Sequence, residues 1–87
     1  MRRRVVARGR VQGVFFRDAT RREASRRGVA GWARNRGDGA VESVFEGDAE
    51  AVEAMVEFVR RGPGHAEVDD VDVSDEAPEG LSGFDVR

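Results

Sequence analysis

A chain of 87 residues without cysteine has room for one domain with one core, and it excludes both a disulfide framework and cysteine-based catalysis. No apolar run approaches the length that spans a bilayer, and the opening MRRRVVARGR has the basic head of a signal peptide without the apolar stretch behind it. The net charge of −2 is unevenly divided, with twelve arginines against Asp18 and Glu23 in residues 1–36 and three arginines against fifteen acids in residues 37–87.

One half should therefore attract anions, unless the fold interleaves the two halves and cancels the field. A cytoplasmic, monomeric protein with no membrane partner is expected, and residues 1–87 read as a single domain because no repeat, linker or low-complexity tract divides them.

In chain order, Val5, Val6 and Ala7 open a β-prone run that ends at Gly9. FFRDATRREASRRG then reads as a helix, with Asp18 in its first turn, Arg26 and Arg27 in its last and Gly28 at its stop, each favourable to the helix dipole. VAGWARN is a strand, RGDG a hairpin turn in which Gly37 and Gly39 supply positive φ, and AVESVFEG the returning strand. Asp48 caps a second helix whose Val52, Met55, Val56 and Val59 recur at i, i+3, i+4 and i+7 and form one apolar face. Gly62-Pro63-Gly64 ends that helix, AEVDDVDV is a strand blunted by acids as a sheet edge requires, and FDVR is a short last strand. The order predicts an α+β fold, a ferredoxin-like βαββαβ two-layer sandwich. It has an antiparallel sheet, two helices on one face and a short extra C-terminal strand.

The segment GRVQGVFFR, residues 9–17, links the first strand to the first helix and contains no nucleophile and no general base. A glycine-bearing turn at a helix N-terminus aims backbone N–H groups at one point, where the helix dipole adds about half a positive charge. The N–H groups of Gln12, Gly13, Val14, Phe15 and Phe16 can form an anion nest. Gly13 lets the backbone approach a ligand without a Cβ, and Arg17 offers a planar fork to two phosphate oxygens. Gly-Lys-Ser/Thr is missing, so this is no Walker A loop. The segment is a phosphate cradle.

Gly9, Val11, Gln12, Gly13, Val14, Phe16 and Arg17 also match the first motif of the acylphosphatase family, Gly-x-Val-Gln-Gly-Val-x-Phe-Arg. The second family motif follows at the right distance, opening with Gly31, Trp32, Ala33 and Asn35 and continuing through Gly39 and Val41 to Gly47. The chain thus resembles acylphosphatases over essentially its full length. One departure is Arg27, which stands where family members often carry leucine.

The resemblance implies hydrolysis of a carboxyl–phosphate anhydride to carboxylate and inorganic phosphate. Arg17 would bind the phosphate within the loop and Asn35 would position the attacking water. No metal or cofactor is implied, and inorganic phosphate, the product, is expected to inhibit competitively. Such chemistry explains a site without a base. The carboxylate leaving group has a conjugate acid of pKa near about 4 and needs no general acid, while a loose phosphoryl transition state asks for positioning and charge stabilisation.

Other motifs carry less. Asp70-Val71-Asp72-Val73 imitates the opening of an aspartyl-phosphate phosphatase but alternates as a solvated edge strand. His65, the only histidine, cannot alone make a structural metal site. Trp32 is expected in the core. The arginines at 21, 22, 26 and 27 suit a solvated helix face better than a nucleic-acid interface, because the aromatic strand pattern of RNA-recognition domains is absent. The alternatives are a non-catalytic anion-binding or nucleic-acid-binding module on the same fold, or a unit like that within larger hydrogenase maturation proteins.

Overall fold

Along the first strand, β1 (Arg2–Arg10), alternate residues meet two different environments. Val5 and Ala7 enter the main core, whereas Arg2, Arg4, Val6 and Arg8 fall in the opposite register. The computed structural model describes residues 1–87 and continues with α1 (Phe16–Arg26), β2 (Ala30–Asn35), β3 (Val41–Glu46), α2 (Ala49–Arg61), β4 (Glu67–Glu76) and β5 (Phe84–Val86). The sheet order is β4-β1-β3-β2-β5. Both helices cover one face, where Phe16 and Ala24 of α1 and Val52, Met55, Val56 and Val59 of α2 join Val5, Ala7, Val41 and Phe45. Each such valine, methionine or phenylalanine contributes about 1.5–3 kcal/mol by leaving water. The apolar periodicity of α2 and the edge position of acidic β4 are as the sequence predicts. No helix is long and apolar enough to cross a membrane.

Several local expectations are corrected. The sheet is antiparallel through β4, β1, β3 and β2, but β5 pairs with β2 in parallel. Because β4 and β2 point in opposite directions, a chain that turns back after β4 and crosses to the far edge arrives aligned with β2. The strand β1 does not end at Gly9 but runs to Arg10, with a register shift between Arg8 and Gly9. A Cβ on Gly9 would lie 2.3 Å from the Glu67 oxygen, so its glycine serves the approach of β4. Only Gly39 of the two hairpin glycines takes positive φ, at 93°, since the Arg36 N–H bond to the Ala40 oxygen and the Asp38 side chain already shape the turn. Asp48 precedes α2 without a side-chain bond to it. Trp32 is half-buried and outside the main core; the guanidinium of Arg87 lies 4.7 Å and that of Arg34 5.8 Å from its ring. Arg27, at the end of α1, pairs with Glu23 at 2.7 Å, an arrangement leucine could not make.

The divided charge is interleaved by the sheet. Basic β1 lies between β3 and β4, so Arg2 reaches Glu46, Glu76 and Glu79, and Arg8 reaches Asp70 and Asp72. Glu42 is buried between Arg4 and Arg34; burial pushes its carboxyl up, but bonds from Arg34 and Arg4 outweigh this and hold it below the ordinary value.

Glu46 accepts the backbone N–H groups of Glu79, Gly80 and Leu81 at 2.9, 2.8 and 3.1 Å, tying down the crossing that leads to β5. Those bonds, led by that from Glu79, with the Arg2 side chain added, hold its carboxyl below the ordinary 4.5. A carboxyl depressed by folding stabilises the fold above its unfolded pKa, and that contribution is lost as pH falls through the folded value. The melting temperature should therefore be flat above the ordinary carboxylate range and decline as pH falls below it. Glu46→Gln should melt lower at neutral pH and show a shallower acid decline. An unchanged acid slope in thermal melts of this variant would remove Glu46 from the account.

Candidate active site

The five residues between β1 and α1, Val11 to Phe15, set the site. Phe15 occupies the cap position of α1 with φ 59° and ψ 25° and makes no side-chain cap bond. Serine, threonine, aspartate and asparagine are the usual residues there because their oxygens satisfy the first helical N–H groups. Phenylalanine has none to give. The backbone N–H groups of Gln12, Gly13, Val14 and Phe15 have no protein acceptor, and that of Phe16 lies in the helix's first turn, where no intrahelical acceptor exists. Gly13 has φ 75°, and a Cβ built there would meet nothing within 4 Å. Positive φ and open space at one residue leave the backbone accessible to a ligand.

A cleft of about 310 Å³ opens at this end of the sheet, walled by Gly13, Phe15, Phe16, Arg17 and Asp18, by Asn35 of β2 and by Val86 of β5. Arg17 and Asn35, 18 residues apart in sequence, are thus brought to one cleft. Val14 turns its side chain towards the core. Gln12 does not wall the cleft either: its Nε2 donates to the oxygens of Arg36 and Ala40 at 2.8 and 2.9 Å. This clamp fixes the hairpin that begins just after Asn35, while the ladder with Val41 holds Asn35 itself.

Arg17 Nη1 donates to the main-chain oxygen of Arg87 at 2.6 Å, so the end of β5 orients the guanidinium. Neither Arg87 nor Val86 carries a sequence signal for this role. Their placement follows from the parallel β5–β2 pairing, which only the folded chain reveals.

Charge favours this cleft. Of the fifteen arginines, Arg10, Arg17, Arg61 and Arg87 alone make no ion pair with an acidic side chain. Arg21 and Arg22 bind Asp18, and Arg26 and Arg27 bind Glu23, which spends the basic face of α1. A larger hollow, of about 750 Å³, lies where α1 ends and α2 begins, but its Arg26 and Arg27 are those already held by Glu23. The guanidinium that stands beside unbonded N–H groups without an acidic side-chain partner is that of Arg17.

A two-layer α+β sandwich with an open helix N-terminus and an arginine free of acidic side chains in one cleft has the chemistry to take a small anion. Comparison with known proteins makes the assignment narrower. The family model for acylphosphatase matches residues 3–86. The acylphosphatase of Haloarcula marismortui is 55% identical over 86 residues, covering 99% of this chain and 94% of the relative. That of Rubrobacter xylanophilus is 56% identical over 85 residues, covering 97% and 77%. The crystal structure of acylphosphatase from Bacillus subtilis superposes with a TM-score of 0.93 at 39% identity, covering 99% of this chain and 97% of the other. The chain belongs to the acylphosphatase family, whose members are hydrolases acting on acid anhydrides.

Proposed function

We propose that this chain hydrolyses the carboxyl–phosphate bond of small-molecule acyl phosphates, releasing a carboxylate and inorganic phosphate. The observation that carries this reading is the convergence of Arg17 and Asn35 on one cleft beside a loop whose N–H groups are unbonded. The loop amides and the helix dipole hold the phosphoryl oxygens, and Arg17 adds a two-pronged charged contact. Asn35 accepts a hydrogen bond from a water through its side-chain oxygen and aims the water's lone pair at phosphorus, opposite the carboxylate. As the P–O bond to the acyl group breaks, negative charge moves onto the leaving carboxylate, which is stable in water, while the charge spread over the three phosphoryl oxygens stays against the cradle. The proton of the attacking water passes to a phosphoryl oxygen. The protein works as a cytoplasmic monomer and needs neither metal nor cofactor.

The test is phosphate release from acetyl phosphate beside a simple phosphate monoester, with and without EDTA. The acyl phosphate should turn over at a rate indifferent to EDTA, with competitive inhibition by inorganic phosphate. The monoester should not react, because its alkoxide leaving group needs a general acid and the one carboxyl on the cleft wall, Asp18, is an ion-pair partner of Arg21 and Arg22. Brisk monoester turnover, or loss of activity in EDTA, would overturn this chemistry. A folded chain that binds phosphate and turns over nothing would be a binding module.

A further inference from the structure

β5 is an edge strand of three residues, and the residue at its end carries the oxygen that orients Arg17. So short a strand is held weakly by its own ladder, and its flanks decide where it sits. Phe84 stacks on Phe45 with ring centroids 5.8 Å apart, and the Gly31 N–H donates to the Gly83 oxygen at 3.0 Å. Upstream, residues 77–83 form neither helix nor strand, and Gly80 and Gly83 take positive φ. The backbone of this crossing is held by one side chain, Glu46, which accepts three consecutive N–H groups. Its side chain is 10% exposed and also receives Arg2 Nη1 at 3.2 Å. Bonds to a charged acceptor are stronger than neutral ones, and three donors would lose it together if the charge were removed. Glu46 faces Arg2 and Ala30 at one end of the sheet, whereas Val41 faces Asn35 at the other. The two ends are about 17 Å apart along β3, so the carboxylate cannot touch a phosphate in the cleft.

We infer that Glu46 is a positioning residue for the reaction, setting the grip of Arg17 on phosphate from the opposite end of the sheet through the crossing that it anchors. Residues 79–81 lead into β5, β5 is registered on β2 from Gly31 to Ala33, and the Arg87 oxygen receives Arg17 Nη1. This rests on the hydrolytic reading above, since Glu46 has its effect through phosphate held by Arg17. The loop amides and Asn35 do not depend on the crossing: the first belong to the link between β1 and α1, and the second is fixed by the β3 ladder. Loss of the anchor therefore weakens the share of binding that Arg17 supplies and leaves the rest. Coupling of this kind is reciprocal, so phosphate that fixes Arg17 steadies in turn the three N–H groups that Glu46 holds.

The experiment compares wild type, Glu46→Gln and Arg2→Gln, each well below its melting temperature. Arg2→Gln is the control. It removes the pairs with Glu46, Glu76 and Glu79 and so loosens the same corner of the fold, but it leaves Glu46 its three N–H donors. In Glu46→Gln, the KM for acetyl phosphate and the inhibition constant of inorganic phosphate should rise together by about fivefold, a size typical of coupling carried through packed networks, with kcat changed less. Arg2→Gln should melt lower than wild type while keeping both constants close to its values. If Glu46→Gln fails to fold, hydrogen exchange on wild type decides: saturating phosphate should slow exchange of the Glu79, Gly80 and Leu81 amides. A folded Glu46→Gln chain with wild-type constants, or an equal rise in Arg2→Gln, would overturn the role of Glu46 and leave hydrolysis standing. So would exchange at residues 79–81 that phosphate does not alter, where that measurement decides. A wild-type chain that neither turns over acetyl phosphate nor binds inorganic phosphate would instead overturn the hydrolytic reading itself.

Discussion

Arg17→Ala should abolish most activity while leaving a folded protein. The guanidinium offers two charge-assisted bonds to phosphate, each contributing roughly 1.5–3 kcal/mol. Losing both corresponds to a fall of about a hundredfold or more in kcat/KM, at roughly tenfold per 1.4 kcal/mol. Inhibition by inorganic phosphate should weaken in parallel, since the contact serves ground state and transition state alike. The fold should survive because Arg17 is only partly buried and lies outside the core cluster, and its protein bond is the single one to the Arg87 oxygen. Arg17→Lys tests the geometry: it keeps the charge and loses the planar fork, so it should recover only a small part of the activity. Steady-state kinetics and a thermal melt check both points. Near-normal phosphate inhibition in a folded Arg17→Ala chain would remove this residue from the cradle.

The geometry of the β1–α1 loop was legible in sequence because its parts are local. Gly13, the helix start and Arg17 fall within one turn of chain, and their chemistry depends on backbone geometry that glycine and helix signals announce. The buried face of α2 was legible for the same reason, through the period of Val52, Met55, Val56 and Val59. What escaped was settled by distant parts of the chain. Gly9 looks like part of the loop until β4 packs against it, and only then does the missing Cβ serve a strand crossing. Trp32 looks like a core residue until Arg34 and Arg87 lie over its ring on the sheet face that the helices leave open. Phe15 reads as helical because αR is the default for an aromatic at a helix start, whereas the loop forces it into αL. The side chain of Gln12 gives no sequence hint that it clamps a hairpin more than twenty residues away.

The same long-range pairing decides where the protein is electropositive. Read along the chain, the basic half should attract anions unless the fold interleaves the two halves, and the fold does interleave them. Folded, β1 threads between acidic partners, and Arg2, Arg3, Arg4 and Arg8 are absorbed by them. Four arginines, Arg10, Arg17, Arg61 and Arg87, are left without an acidic side-chain partner, and of these Arg17 walls the cleft beside the unbonded loop amides. The same pairing also links the remote Glu46 to the site: its carboxylate anchors residues 79–81, these lead into β5, and the end of β5 orients Arg17.

Asn35 should separate from Arg17 by kinetic signature. If it aims the water and does not hold the phosphate, Asn35→Ala should lower kcat by on the order of a hundredfold while phosphate inhibition stays close to that of wild type. The residue is exposed at the end of β2, and its backbone is fixed by the β3 ladder, so the loss should not spread into the fold. Asn35→Asp is the sharper test. It keeps the shape and supplies a carboxylate, which general-base catalysis would welcome. In this cleft the new charge would face a dianionic phosphate, with Asp18 also on the wall, and like charges disfavour both the carboxylate and the bound substrate. Asn35→Asp should therefore be impaired in binding as well as in turnover, and more so at high pH, where the carboxylate is fully ionised. Added salt should ease both defects by screening the repulsion. An Asn35→Asp chain that matched or exceeded wild type would mean that Asn35 stands in for a base, and the water-positioning mechanism would fail.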